Sequence, residues 1–78
     1  MKEGILQALR AVNGDGDFEN SQDFIEDGLL DSFEIVNLVS ELEDLFSLEI
    51  RGADIIPENF INLEAITELL QGYKEQEQ

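Results

Sequence analysis

Apolar residues recur along the chain at helical spacing in three long stretches, and these set the expected architecture. Residues Lys2 to Val12 carry Ile5, Leu6, Leu9 and Val12 on one side, the signature of an amphipathic helix whose stripe is core. Asn13-Gly14-Asp15-Gly16-Asp17 then ends it with turn chemistry. The second stretch runs from Ser32 to about Phe46. At about 100° per residue, Ile35, Leu38, Val39, Leu42 and Phe46 share one face. Phe33 lands nearly opposite, among Asn37, Ser40 and Asp44, with Val36 on the shoulder. In the third stretch Asn62 caps a helix whose Leu63, Ile66, Leu70 and Tyr73 form a stripe, with Leu69 beside it. Residues 74–78 follow as a frayed tail.

The connections are less periodic. Ser47 to Ala53 leaves the second helix, with Leu48 and Ile50 tucked inward and Gly52 giving a turn. Pro57 suits the first turn of a short helix through about Phe60. The segment from Asn13 to Leu30 is long for so small a domain, which points to a functional loop or one pinned by its own side chains. Phe18, Phe24, Ile25, Leu29 and Leu30 are the candidate pins. Asn13, Asp15 and Asp17 imitate the first ligands of an EF-hand. However, position six is Phe18 rather than Gly, and position twelve is Phe24 rather than Glu. A flexible acidic loop with no metal site is the better reading. The expected fold is all-α: a small bundle of three longer helices and one short helix, a single domain over residues 1–78 with a long loop after the first helix.

Composition narrows the chemistry. The 78 residues leave room for a modest core, and 42% of them are apolar. There is no cysteine and no histidine, so the chain lacks its own thiol, the commonest general base and the usual soft metal ligands. Nineteen acidic residues face four basic ones, a net charge of −15. Such a field repels nucleic-acid phosphates and anionic membranes and attracts basic protein surfaces. No signal peptide or membrane span is visible, which makes a cytoplasmic monomer the default expectation.

The junction at Asp31 carries the functional signal. Asp31 with Glu34 three residues on reads as an acidic capping box, making Ser32 the first helical residue. Its hydroxyl then projects from a helix N-terminus, where free N–H groups and the positive dipole end favour an anion such as a phosphate ester.

The run Leu30-Asp31-Ser32-Phe33 opening a helix resembles the Asp-Ser-Leu signature of acyl carrier proteins and of aminoacyl and peptidyl carrier domains. The likeness continues through Val36, Leu38, Val39, Leu42, Phe46 and Ile50. It extends to the acidic close Leu42-Glu43-Asp44-Leu45-Phe46, to Ile56-Pro57-Glu58-Asn59-Phe60 and to Asn62-Leu63-Glu64-Ala65-Ile66, nearly the whole chain. Phe33, Asn37 and Ser40 depart from the residues commoner at those places. The resemblance implies 4′-phosphopantetheine on Ser32, transferred from coenzyme A by a phosphopantetheinyl transferase, with Asp31 capping the helix and assisting that enzyme's metal site. It also implies partner enzymes that load and use an acyl or aminoacyl group, in fatty-acid biosynthesis or in an aminoacyl pathway.

On this reading Phe33, Val36, Glu34, Asn37, Ser40, Glu41, Glu43 and Asp44 form the docking face, and the protein is a carrier rather than an enzyme. For Phe33 a second reading stands beside it, folding back onto the loop near Leu29. The alternative function is an unmodified acidic adaptor that binds a basic partner through the same helix. An autonomous enzyme is the weakest class, since without His or Cys no nucleophile–base pair or oxyanion clamp can be named.

Overall fold

The computed structural model describes residues 1–76. Three α-helices form: α1 over Lys2–Val12, α2 over Ser32–Phe46 and α3 over Leu63–Gln76. No strand occurs among the described residues. Between α2 and α3 lie two short 3-10 helices, Gly52–Asp54 and Pro57–Phe60. The fourth helix expected at Pro57 is therefore a 3-10 turn. Pro57 fixes its start, and a four-residue segment is too short for an α-helical ladder to form.

The apolar stripes meet in one core. Ile5, Leu6, Ala8 and Leu9 of α1 are buried, as are Ile35, Leu38, Val39 and Leu42 of α2. Ile66 and Leu70 complete it from α3, while Val12, Phe46, Leu63, Leu69 and Tyr73 pack at its margin. Both α2 and α3 pack on α1, and the Pro57–Phe60 turn wedges between α2 and α3 with Phe60 fully buried.

The loop after α1 is tied down, which corrects the expectation of flexibility. Phe18 and Phe24 are buried and meet edge to face, with ring centroids 5.1 Å apart. Asn13 stops α1 in an extended conformation, and its Nδ2 donates to Leu29 O across the loop at 3.0 Å. Asp23 Oδ1 accepts from the amides of Ile25 and Glu26, and Phe24 N donates to Ile61 O at 2.6 Å. Gly28 turns the chain at φ +75, a conformation that costs glycine little. Asn13 and Asp17 (the latter accepting from Asn20 Nδ2) thus serve loop structure.

The helix ends follow from local chemistry. Asn62 Oδ1 accepts from Ala65 N at 2.8 Å and so caps α3, while Asn62 Nδ2 donates to Gln22 O. Ser47 closes α2 in the left-handed region at φ 52, and Lys74 Nζ donates to Phe46 O at 2.9 Å, satisfying a carbonyl at that end. That contact falls where the sequence suggests fraying from residue 74. The helix instead runs on to Gln76, and residues 77–78 lie outside the described part.

Candidate functional site

Residues 31–33 form an exposed tip between two buried anchors. Before it, Leu30 is buried, and the amides of Leu29 and Leu30 both donate to Phe24 O at 2.7 and 3.1 Å. After it, Ile35 is buried in the first turn of α2. The pinned loop thus delivers the chain to the helix start at a fixed angle, and the alternation of the helix face leaves Asp31, Ser32 and Phe33 outside.

Asp31 is the N-cap of α2. Its Oδ1 accepts from Glu34 N at 2.8 Å, and Glu34 Oε1 accepts from Asp31 N at 3.1 Å, a reciprocal capping box. Ser32 is the first helical residue and is exposed. Its hydroxyl stands where the helix dipole favours negative charge, on a backbone held by the cap. A group esterified there meets no steric obstacle from the core.

The neighbouring face of α2 divides into free and engaged side chains. Phe33 is 80% exposed and Val36 60%, so Phe33 does not fold back onto the loop. Asn37, Ser40, Glu41 and Asp44 are exposed along the same helix. Glu34 and Glu43 are half-buried and occupied, Glu34 in the capping box and Glu43 accepting from Ile50 N through Oε2 at 2.9 Å. The structure adds Ile56, 39% exposed, at the entry to the turn that rests on α2. Sequence reasoning passed over it, although an apolar residue directly before Pro57 was the available cue.

Among the described residues no cluster of three or more acidic side chains is arranged to hold a metal ion. No helix among them is long and apolar enough to cross a membrane.

The chain is 28% identical to the D-alanyl carrier protein of Lactococcus lactis subsp. lactis (strain IL1403) over 78 residues, covering 97% of this chain and 99% of that protein. The likeness supports the acyl and aminoacyl carrier family. No family model matches the chain, and no solved structure matches it at comparable stringency. The near-complete, end-to-end coverage matters more than the modest identity, because it spans all three helices and the long loop together. A carrier role also suits a chain with no internal catalytic pair.

Proposed function

We propose that Ser32 bears 4′-phosphopantetheine and that the protein carries an aminoacyl or acyl group to partner enzymes. The observation that carries this reading is the exposed serine at the first position of α2, held between the buried Leu30 and Ile35 by the Asp31–Glu34 capping box. The residues fit the group. The Ser32 hydroxyl is free to form the phosphodiester, and the helix N-terminus stabilises its negative charge. When bound, the arm supplies the thiol that this cysteine-free chain lacks, and the cargo is held there as a thioester.

The chain's own residues position and present. Asp31 and Glu34 fix the helix start, so the attachment point does not fray. Phe33 and Val36 offer an apolar contact beside the serine, and Glu41 and Asp44 offer charge to a basic partner. The transferase and the loading enzymes provide the catalysis. The name of the Lactococcus relative makes D-alanine the first cargo to try.

The test is intact mass after incubation with coenzyme A, magnesium and a permissive phosphopantetheinyl transferase, with Ser32→Ala in parallel. One added phosphopantetheine in the parent alone is the expected result. No addition across several transferases to a demonstrably folded protein would overturn the reading in favour of an unmodified adaptor.

A further inference from the structure

Residues 47–56 leave the end of α2 and run back toward the Pro57–Phe60 turn as a strap over the bundle. The strap buries Ile50 and half-buries Leu48 and Ile55, yet its centre at Arg51–Ala53 is exposed. Side chains from both flanking helices hold it. From α2, Glu43 accepts from the amide of Ile50. From α3, the Tyr73 hydroxyl does two things at once: it donates to Asp54 Oδ2 and accepts from Arg51 N at 2.9 Å. The Arg51 guanidinium lies over the Tyr73 ring, 5.5 Å from its centroid, and its Nε stands 3.7 Å from Asp54 Oδ2.

Asn59 Nδ2 also donates to Asp54 O at 2.8 Å and Leu48 N to Glu43 O at 3.2 Å, so the two ends of the strap are tied while its exposed centre is held chiefly through Tyr73. Beside the latch an open cleft of about 190 Å³ separates strap from helix, lined by Arg51, Asp54, Glu68, Leu69, Gly72 and Tyr73. A Cβ built on Gly72 would meet nothing within 4 Å, so the helix side of the cleft is unfilled. The main packing of α2 and α3 is on α1 and on the Pro57–Phe60 turn, none of which the strap's centre supplies. A segment with few buried side chains, held by partly exposed hydrogen bonds, belongs to the low-stability end of a fold.

We propose that residues 47–56 open as a unit while the three helices stay folded, with the Tyr73 hydroxyl as the latch. Opening swings Ile50 and Ile55 outward and uncovers the apolar flank between α2 and α3. This inference stands apart from the modification of Ser32 and does not depend on it.

Native-state amide exchange on the unmodified full chain, followed by NMR in low denaturant, tests it. The informative amides are those of Ile50 and Ile55, because their acceptors are Glu43 and Gly52 and not Tyr73. They are expected to exchange through an opening with a smaller denaturant dependence than global unfolding, ahead of Leu9, Leu38 and Leu42. Tyr73→Phe, which removes only the hydroxyl, should speed Ile50 and Ile55 by roughly tenfold, the equivalent of about 1.4 kcal/mol. Asp54→Asn should give a smaller rise in the same direction. The chain has one tyrosine and no tryptophan, so loss of the carboxylate partner should also raise the tyrosine emission of Asp54→Asn. Exchange of Ile50 and Ile55 only together with the helices, with the full denaturant dependence of global unfolding, would overturn the proposal. So would rates unchanged by both substitutions.

Discussion

Replacing Asp31 separates the structural role of the Asp-Ser pair from any chemistry at the serine. Asp31→Ala removes the oxygen that accepts from Glu34 N at 2.8 Å and leaves half of the capping box, because the other bond to Glu34 Oε1 comes from the backbone amide of residue 31. Loss of an N-cap side chain costs about 0.5–2 kcal/mol, and loss of a negative charge at a helix start about 0.3–1 kcal/mol. Because the residue is exposed, the two effects overlap, and a total of about 1.5 kcal/mol is the working value. For a domain of this size each kcal/mol moves Tm by about 4–8 °C, so the expected fall is roughly 6–12 °C by far-UV circular dichroism. Asp31→Asn keeps an acceptor oxygen and loses only the charge, so it should cost less than half as much. Ser32→Ala should leave Tm nearly unchanged, since its hydroxyl faces solvent. Equal small shifts for Asp31→Ala and Asp31→Asn, both below about 2 °C, would refute the claim that the capping box holds the serine in place.

Two further substitutions probe other parts of the argument. Phe33→Ala should change stability by less than about 0.5 kcal/mol, given 80% exposure, while weakening a complex with a loading enzyme by more than about 1 kcal/mol. Urea unfolding and calorimetric titration read the two effects, and a large stability loss would mean that the ring packs after all. Gly72→Ala lies inside α3 with open space around a new Cβ, so it should raise the unfolding free energy by about 0.5–1 kcal/mol in urea. A fall would show that this turn of α3 needs glycine.

The legible parts of this fold were those written in local sequence. The period of Ile5, Leu6 and Leu9, and that of Ile35, Leu38, Val39 and Leu42, placed two helices and their buried faces, because a stripe on one side leaves the core nowhere else to be. Asp31 and Glu34 marked the start of α2 because a capping box is a four-residue pattern. The parts that escaped depend on residues far apart in the chain. The loop after α1 reads as flexible from its glycines and aspartates, yet it is held by Ile61 and Asn62, which no window around it contains. Tyr73 fits the α3 stripe by spacing, but its hydroxyl answers to Arg51 and Asp54 on another segment. Phe33 shows the limit of a helical wheel. The wheel put the ring opposite the core, but only the course of the preceding loop could decide between solvent and a fold-back contact.

The same acidic surface that would draw in a partner also works against the fold, and salt should separate the two effects. The chain carries 19 acidic and four basic residues, and its described part measures 35 × 24 × 18 Å. Three of those cations are engaged within the molecule: Arg10 with Glu19 at 2.8 Å, Arg51 with Asp54, and Lys74 with Phe46 O. Self-repulsion is therefore largely uncompensated. At 0.01 M ionic strength the screening length of about 30 Å spans nearly the whole protein, so every carboxylate feels the others. At 0.15 M it falls to about 8 Å, and only neighbours on one helix face still interact. Unfolding spreads the charges apart and so relieves more repulsion at low salt than at high salt. Tm should then rise steadily between 10 and 300 mM sodium chloride, on the order of several degrees. Over the same range the affinity for a basic partner enzyme should fall, chiefly through a slower association rate. A Tm that is flat or declining with salt would mean that the engaged cations offset the repulsion locally, and that the −15 charge serves recognition without a measurable cost to folding.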